Sequence, residues 1–254
     1  MVQEKPTVED EPIGKQIVAL MNKRDNLKGT KIFSDIQNLA TTQYFVIRNY
    51  QELENQIMPY EKDIGIWEVS KRDKFQAFLR ELSRLIHNYL SSTFSLISHS
   101  SNFCDQLHNK NLRKEYDEMV AKLKLYDCYH FVKDLRRFNQ HIGLPLISAQ
   151  LDIHPKDSNG FQSRILFDKK ILLSWQGNNA WTSGSKNYLN THQEIEVKAV
   201  FSEYQGLIKE FYDWFYKKTS SVYANELKEF LDNELEIGRL WQLQEVKNQA
   251  NAKK

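Results

Sequence analysis

Two histidines, two arginines and an internal aspartate lie in residues 127–145, one short segment that reads DCYHFVKDLRRFNQHIGLP. Histidine transfers protons near neutral pH, and arginine presents a fork of donors that matches the oxygens of carboxylates and phosphates. The segment could therefore bind an anionic group and move a proton beside it. The five side chains are His130, Asp134, Arg136, Arg137 and His141.

The same segment has the pattern of an amphipathic helix of about four turns. Asp127 is suited to the N-cap, Gly143 to a left-handed residue after the last turn, and Pro145 cannot continue a helix. At about 100° per residue, four apolar side chains fall within one narrow arc, which we expect to be buried. These are Phe131, Leu135, Phe138 and Ile142.

The polar side chains divide between two flanks of this helix. One stripe, about 60° wide, recurs at i, i+4, i+7 and i+11 and consists of His130, Asp134, Arg137 and His141. Arg136 lies about 140° from His141, so helical geometry alone does not pair them. The stripe also has an ordinary interpretation, because a histidine in the last turn complements the helix dipole and an Asp–Arg pair is common on surfaces.

An arginine, a polar residue and, a few positions later, a histidine near a helix end resemble the motif of the HEPN superfamily. The matching residues are Arg136, Arg137 in the polar position and His141, followed by Gly-Leu-Pro. Asparagine is commonest in the polar position, so Arg137 departs from the pattern. The resemblance extends upstream to LSRLIHNYLSS at 82–92 and EYD at 115–117, and it covers about residues 70–150.

The HEPN resemblance implies a helical bundle that is a metal-independent endoribonuclease without a cofactor. In that chemistry the 2′-hydroxyl of RNA attacks the adjacent phosphate, and a histidine takes or delivers the proton. His141 would be the acid/base and Arg136 would stabilise charge on the phosphate. Arg137, Asp134 and His130 would support them.

The resemblance also bears on partners. Family members commonly build the cleft between two protomers, which implies a homodimer that acts on RNA. Toxin–antitoxin or antiviral defence roles go with many such proteins, so a protein antitoxin or a defence complex is a partner to expect. A different class of function stays open: a noncatalytic helical module that binds a protein partner or a nucleotide.

A second arginine–histidine group lies on the long helix predicted at residues 75–104. Arg80, Arg84 and His87 stand at i, i+4 and i+7 opposite its apolar face, and Asn88 follows. Because arginine forks match phosphate oxygens, this group could be a phosphate-contacting wall that faces the segment of 127–145. A basic face on an amphipathic helix is more often simply solvated.

Composition and the missing motifs exclude several classes of protein. The 254 residues are 41% hydrophobic and 27% charged, enough for a sizeable core, and a formal net charge of +2 confines any RNA contact to a local surface. Cys104 and Cys128 have no metal-ligand spacing, and we expect a reducing cytoplasm. No run approaches ~18 apolar residues, so we expect no membrane span. The GxSxG, P-loop, HExxH and GxGxxG motifs are missing.

Hydrophobic periodicity predicts a mainly α fold, an up-and-down helical bundle with a small antiparallel β meander inserted before the C-terminal helices. Helices are predicted over residues 13–23, 32–57, 75–104, 112–125, 127–143, for about 25 residues from Thr191, and over 221–247. Strands are predicted at 148–153, 162–167 and 170–175. We expect one domain over 1–254, with the β appendage at 148–176 and loose tails at 1–11 and 248–254.

Overall fold

The computed structural model describes residues 12–62, 64–143, 147–153, 161–177 and 180–252. The chain forms two compact units, Leu39–Phe215 and the described parts of Met1–Asn38 and Tyr216–Lys254, so a single domain over the whole chain stays a prediction. The mainly α fold with a small antiparallel sheet is confirmed. Among the described helices, none combines the length and the apolar character that crossing a bilayer requires.

Helices account for most of the described chain. They are α1 (Ile13–Asn26), α2 (Lys28–Lys62), α3 (Arg72–Gln106), α4 (Lys110–Leu123), α5 (Asp127–His141), α6 (Lys169–Ser174), α7 (Ser183–Thr191), α8 (Val197–Val222) and α9 (Ala224–Ala252). Two short 3₁₀ turns, Ile64–Trp67 and Val69–Lys71, lead into α3. The apolar periodicity thus located the long helices correctly.

The unit formed by the two ends of the chain consists of α1, the start of α2, the end of α8 and α9. α2 approaches α9 closely at Gly29, where a Cβ atom would lie 2.1 Å from the carbonyl oxygen of Glu226. Beyond this contact, the rings of Phe33 and Phe230 lie with their centroids 4.7 Å apart. The missing side chain of Gly29 therefore permits the two helices to pack backbone to backbone.

In the unit of Leu39–Phe215, α3 carries much of the core. Tyr89 is fully buried and meets the rings of Phe201 and Tyr204 edge-on, with centroids 5.1 and 6.4 Å apart. Farther along α3, the hydroxyl of Ser100 lies 3.1 Å from the hydroxyls of Tyr116 and Tyr212. Aromatic packing and buried hydroxyl pairs thus hold α3 to α4 and α8. α5 packs against α3, so these contacts also position α5.

The sheet contains β1 (Ile147–Ile153), β2 (Phe161–Phe167) and β3 (Ile195–Glu196), paired antiparallel in the order β1-β2-β3. The first two strands were predicted, and their register places Ile147 opposite Phe167. The third predicted strand, residues 170–175, is wrong: Asp168 caps the backbone amides of Lys170 and Ile171, and the segment forms α6. The third strand is β3, outside the predicted appendage of 148–176.

Other boundaries also differ from the predictions. Thr191 does not cap a long helix, because it is the last residue of α7, a helix that replaces a predicted loop, and α8 begins at Val197. Pro59 lies inside α2 rather than ending it. α9 continues to Ala252, so residues 248–252 are helical rather than a loose tail. The predicted tail at 1–11, Pro145 and residues 253–254 lie outside the described residues.

Candidate functional site

α5 places one apolar face against the core, as its sequence predicts. Phe131, Leu135 and Phe138 are buried, but Ile142 is 57% exposed because the helix ends one residue before it. Asp127 is the first helical residue rather than the cap, and Tyr126 occupies the N-cap position without a side-chain bond. At the other end Gly143 has a positive φ of 152° and donates its amide to the Phe138 carbonyl at 3.2 Å.

The predicted polar stripe of α5 meets α7 instead of an open cleft. Asp134 is 0% exposed. Its Oδ2 atom accepts from the Thr182 amide, the Thr182 hydroxyl and the Ser185 hydroxyl, each at 2.7 Å. Burial raises the pKa of a carboxyl, but the bonds from Ser185, Thr182 and Arg137 outweigh burial, and the pKa of Asp134 lies below its ordinary value. Asp134 therefore acts as a cap for α7 from another helix.

His130 and Arg137 lie on either side of Asp134 along the same polar stripe of α5. The Nε2 atom of His130 donates to the Lys124 carbonyl at 2.9 Å, and its ring lies so close to Gly184 that a Cβ there would be 2.5 Å from Cδ2. Arg137 donates to Asp134 Oδ1 at 2.9 Å, and its guanidinium lies 5.6 Å from the ring centroid of Trp175. His130 and Asp134 therefore join α5 to α7, and Arg137 holds Asp134 beside Trp175, so all three predicted supporting residues have a structural role.

Arg136 lies on the other side of α5, against α3. Its Cζ atom is 3.3 Å from the ring centroid of Phe94, a stacked cation–π contact. Its Nε atom is buried, and no protein acceptor in the described part of the chain reaches it. Burial lowers the pKa of this guanidinium from its ordinary value. Unlike its neighbour Arg137, Arg136 forms no ion pair with a described carboxylate.

The second predicted group joins Arg136 through a residue that the sequence reasoning missed. Asn139, one turn after Arg136, has its Nδ2 atom 2.9 Å from Nδ1 of His87, so the amide can donate to the imidazole. The Oδ1 atom of Asn139 is buried without a partner among the described residues. Since α3 and α5 run antiparallel, Asn139 meets His87 where Arg136 meets Phe94. Its i+3 spacing from Arg136 was the available signal.

The remaining members of the α3 group differ in their availability. Arg84 forms a two-pronged pair with Glu81, at 2.8 and 2.5 Å, which occupies its guanidinium. Arg80 is exposed, and no ion pair joins it to a described residue. Asn88 is half-buried and lines a cleft between α2 and α3. The expected phosphate-contacting wall therefore reduces to His87, Asn88 and Arg80.

His141 is exposed in the last turn of α5, and its imidazole makes no hydrogen bond with the described residues. It continues the stripe of His130 and Asp134, which faces α7. Arg136 faces α3, about 140° away around the helix axis. One copy of the chain therefore holds the two predicted catalytic side chains on opposite flanks of α5.

The cleft between α2 and α3 has a volume of about 570 Å³. It is lined by Tyr44, Phe45, Arg48, Asn49, Glu52, His87, Asn88, Ser91, Ser92 and Ser95. A larger cleft of about 720 Å³ lies where α3 meets α4, but it contains none of the predicted site residues. At that end Arg113 is paired with both Asp105 and Asp117. Of these two clefts, the α2–α3 cleft adjoins the candidate site.

Other reactive groups in the described residues are buried or isolated. Cys104 and Cys128 are free thiols, and burial raises the pKa of Cys104 to about 12. No three His, Cys, Asp or Glu side chains in the described ranges come together as a metal site. His99 bonds to Thr42 and His192 stacks on Tyr188. The chemistry available here is that of arginine, histidine and amide groups.

No family model, curated protein or solved structure matches this chain.

Proposed function

We propose that this protein is a metal-independent endoribonuclease whose phosphate-binding group is Arg136. The observation that carries the proposal is the state of this guanidinium, which is stacked on Phe94 and forms no ion pair with a described carboxylate. The oxygens of a phosphodiester are acceptors whose geometry the terminal nitrogens of a guanidinium match. Arg136 is therefore suited to hold a phosphate against α3 and α5.

The proposed reaction is intramolecular transesterification of RNA. The 2′-oxygen attacks the adjacent phosphorus while its proton passes to a base, and the bond from phosphorus to the 5′-oxygen breaks as that oxygen accepts a proton. The products are a 2′,3′-cyclic phosphate and a free 5′-hydroxyl. His141 is the proposed acid/base, because its imidazole is exposed and engaged by no described residue. Arg136 neutralises charge that develops on the phosphate oxygens.

Because Arg136 and His141 lie on opposite flanks of α5, the proposed reaction requires a second copy of the chain. Within one copy the two side chains point about 140° apart, so one copy does not assemble the pair. A two-fold symmetric dimer would supply Arg136 from one copy and His141 from the other, twice. The proposal therefore includes a homodimer in which each composite site draws on both copies.

Cleavage of single-stranded RNA in the presence of EDTA is the direct test. Wild type is expected to leave cyclic phosphate ends, and Arg136→Ala and His141→Ala are each expected to lose cleavage. Arg239→Ala, which removes an exposed arginine paired with Glu236 on α9, is the matched control and should cleave normally. His87→Ala shows whether the proton transfer depends instead on the histidine that is bonded to Asn139.

Mixing two inactive variants tests the composite site. When Arg136→Ala and His141→Ala subunits exchange at equal concentration, about half of the dimers are mixed and one of their two sites is intact, so about a quarter of wild-type activity should return. If both groups acted from the same copy, mixing would restore nothing. No cleavage by folded, dimeric wild type would reject the enzyme and favour a noncatalytic module that binds a protein or nucleotide.

A toxin or antiviral defence role, with a protein antitoxin or a defence complex as partner, belongs to the same proposal. Cleavage of cellular RNA should arrest growth when wild type is expressed, and Arg136→Ala should relieve the arrest. Arrest by both proteins would indicate that toxicity arises from something other than RNA cleavage.

A further inference from the structure

The α2–α3 cleft has an aromatic wall. Tyr44 and Phe45 of α2 are 57% and 53% exposed. Their centroids are 6.2 Å apart and the ring planes are tilted by 58°. Two exposed rings beside a cleft of about 570 Å³ offer faces on which a flat ligand can stack.

The cleft is also lined by amide groups with spare hydrogen-bonding capacity, one on each helix. Asn49 donates to the Ser92 hydroxyl at 3.0 Å and to the Asn88 carbonyl at 3.3 Å, which leaves its side-chain oxygen as an acceptor. The side-chain amide of Asn88 makes no hydrogen bond with a described residue, so it has donors and an acceptor to offer. Amides of this kind match the donor and acceptor edges of nucleobases.

The cleft is continuous with the phosphate site of the proposed function. His87 lines the cleft and also bonds to Asn139, which is one turn from Arg136 on α5. Along α3, His87 and Phe94 are seven residues apart, about 10 Å. A strand whose phosphate lies on Arg136 can therefore reach the cleft with a neighbouring base.

We infer that the α2–α3 cleft is a subsite for one unpaired nucleobase next to the phosphate held by Arg136. The base stacks on Phe45 or Tyr44, and Asn88 and Asn49 bond to its edge. In a duplex the faces and pairing edges of the bases are already occupied, so the subsite selects single-stranded RNA. This inference rests on the proposed function for the position of the phosphate.

Binding of a 2′-O-methyl oligonucleotide tests the subsite, because this RNA cannot be cleaved. Fluorescence anisotropy should show tighter binding of the single strand than of its duplex. Phe45→Ala and Tyr44→Ala together should weaken single-strand binding about 5- to 150-fold, the range for loss of one base stack. Tyr126→Ala is the matched control, since this ring is 48% exposed and lies outside the cleft. Asn88→Ala should change the preference among homopolymers without abolishing binding.

The outcomes separate this inference from the ribonuclease proposal. Cleft-dependent binding by a wild type that cleaves no RNA would support the subsite and reject the enzyme. Cleavage that depends on Arg136, with binding untouched by the Phe45 and Tyr44 changes, would reject the subsite and keep the enzyme. Equal affinity for duplex and single strand, or no binding of the oligonucleotide, would also overturn the inference.

Discussion

Replacing Asp134 by alanine is expected to destabilise the protein rather than to remove a catalytic group. The carboxylate accepts four hydrogen bonds in a fully buried position, three of them at the start of α7 and one from Arg137. A bond to a charged group contributes about 1.5–3 kcal/mol, and a buried donor that loses its acceptor costs about 1–3 kcal/mol. The hydroxyls of Thr182 and Ser185, 3.0 Å apart, can rebond to each other, so the separate terms do not add. We therefore expect a loss of about 3–5 kcal/mol in the free energy of unfolding.

Two further variants divide this loss between its causes. Asp134→Asn keeps an acceptor for α7 but turns an amide donor toward Arg137, and it should lose about 1–3 kcal/mol. Arg137→Met removes the partly exposed ion pair together with the cation–π contact to Trp175, and it should lose about 0.5–2 kcal/mol. Urea unfolding at pH 7, followed by tryptophan fluorescence, to which the buried Trp181 next to Thr182 contributes, measures all three.

The same site predicts a pH dependence with a definite sign. Because the pKa of Asp134 is lower in the folded state than its ordinary value of 3.8, its contribution is present above about pH 4 and declines as pH falls through the folded-state pKa. The stability difference between wild type and Asp134→Asn should therefore shrink below pH 4. A stable Asp134→Ala protein that had lost RNA cleavage would refute the structural assignment and return Asp134 to the chemistry.

Gly184→Ala should lose about 1–3 kcal/mol because its Cβ would lie 2.5 Å from the His130 ring, and His130→Ala in the same chain should recover part of the loss in urea unfolding. Gly29→Ala should destabilise the protein more, since its Cβ would meet a backbone carbonyl of α9. Gly238→Ala on α9 meets nothing within 4 Å and should raise the free energy of unfolding by about 0.4–1 kcal/mol. Equal effects of the two substitutions would contradict this packing. Arg136→Met should leave stability unchanged or raise it by about 1 kcal/mol while RNA cleavage falls, and a large loss of stability would make Arg136 structural.

The helices could be predicted because their apolar periodicity reflects a local requirement, that one face be buried. The run from Lys170 to Trp175 could not, since a short apolar segment fits a strand or a helix equally well. Its conformation was decided by Asp168, whose side chain caps the first turn of α6. An acceptor residue two or three positions before the run was the local signal that favoured the helix.

The function of the polar stripe could not be derived from α5 alone. The helical wheel correctly separated Asp134 and His141 from Arg136, but it says nothing about which element covers each flank. Asp134 bonds to Thr182, 48 residues away in the sequence, at the N-cap of α7, a polar helix that the sequence pattern had predicted to be a loop. Long-range contacts of this kind depend on how the whole chain packs, and the composition of one segment does not specify them.

The two adjacent arginines show how the site can be separated from the scaffold. Arg137 has a buried carboxylate partner and an aromatic neighbour, so the folded chain itself accounts for its position. For Arg136, a cation–π contact of about 0.5–2 kcal/mol is set against an unsatisfied buried donor that costs about 1–3 kcal/mol. The fold therefore gains little from holding this guanidinium against Phe94. A bound phosphate would pair this unpartnered cation through its terminal nitrogens and shift that balance, which is why the ligand proposal rests on Arg136 rather than on the stripe beside it.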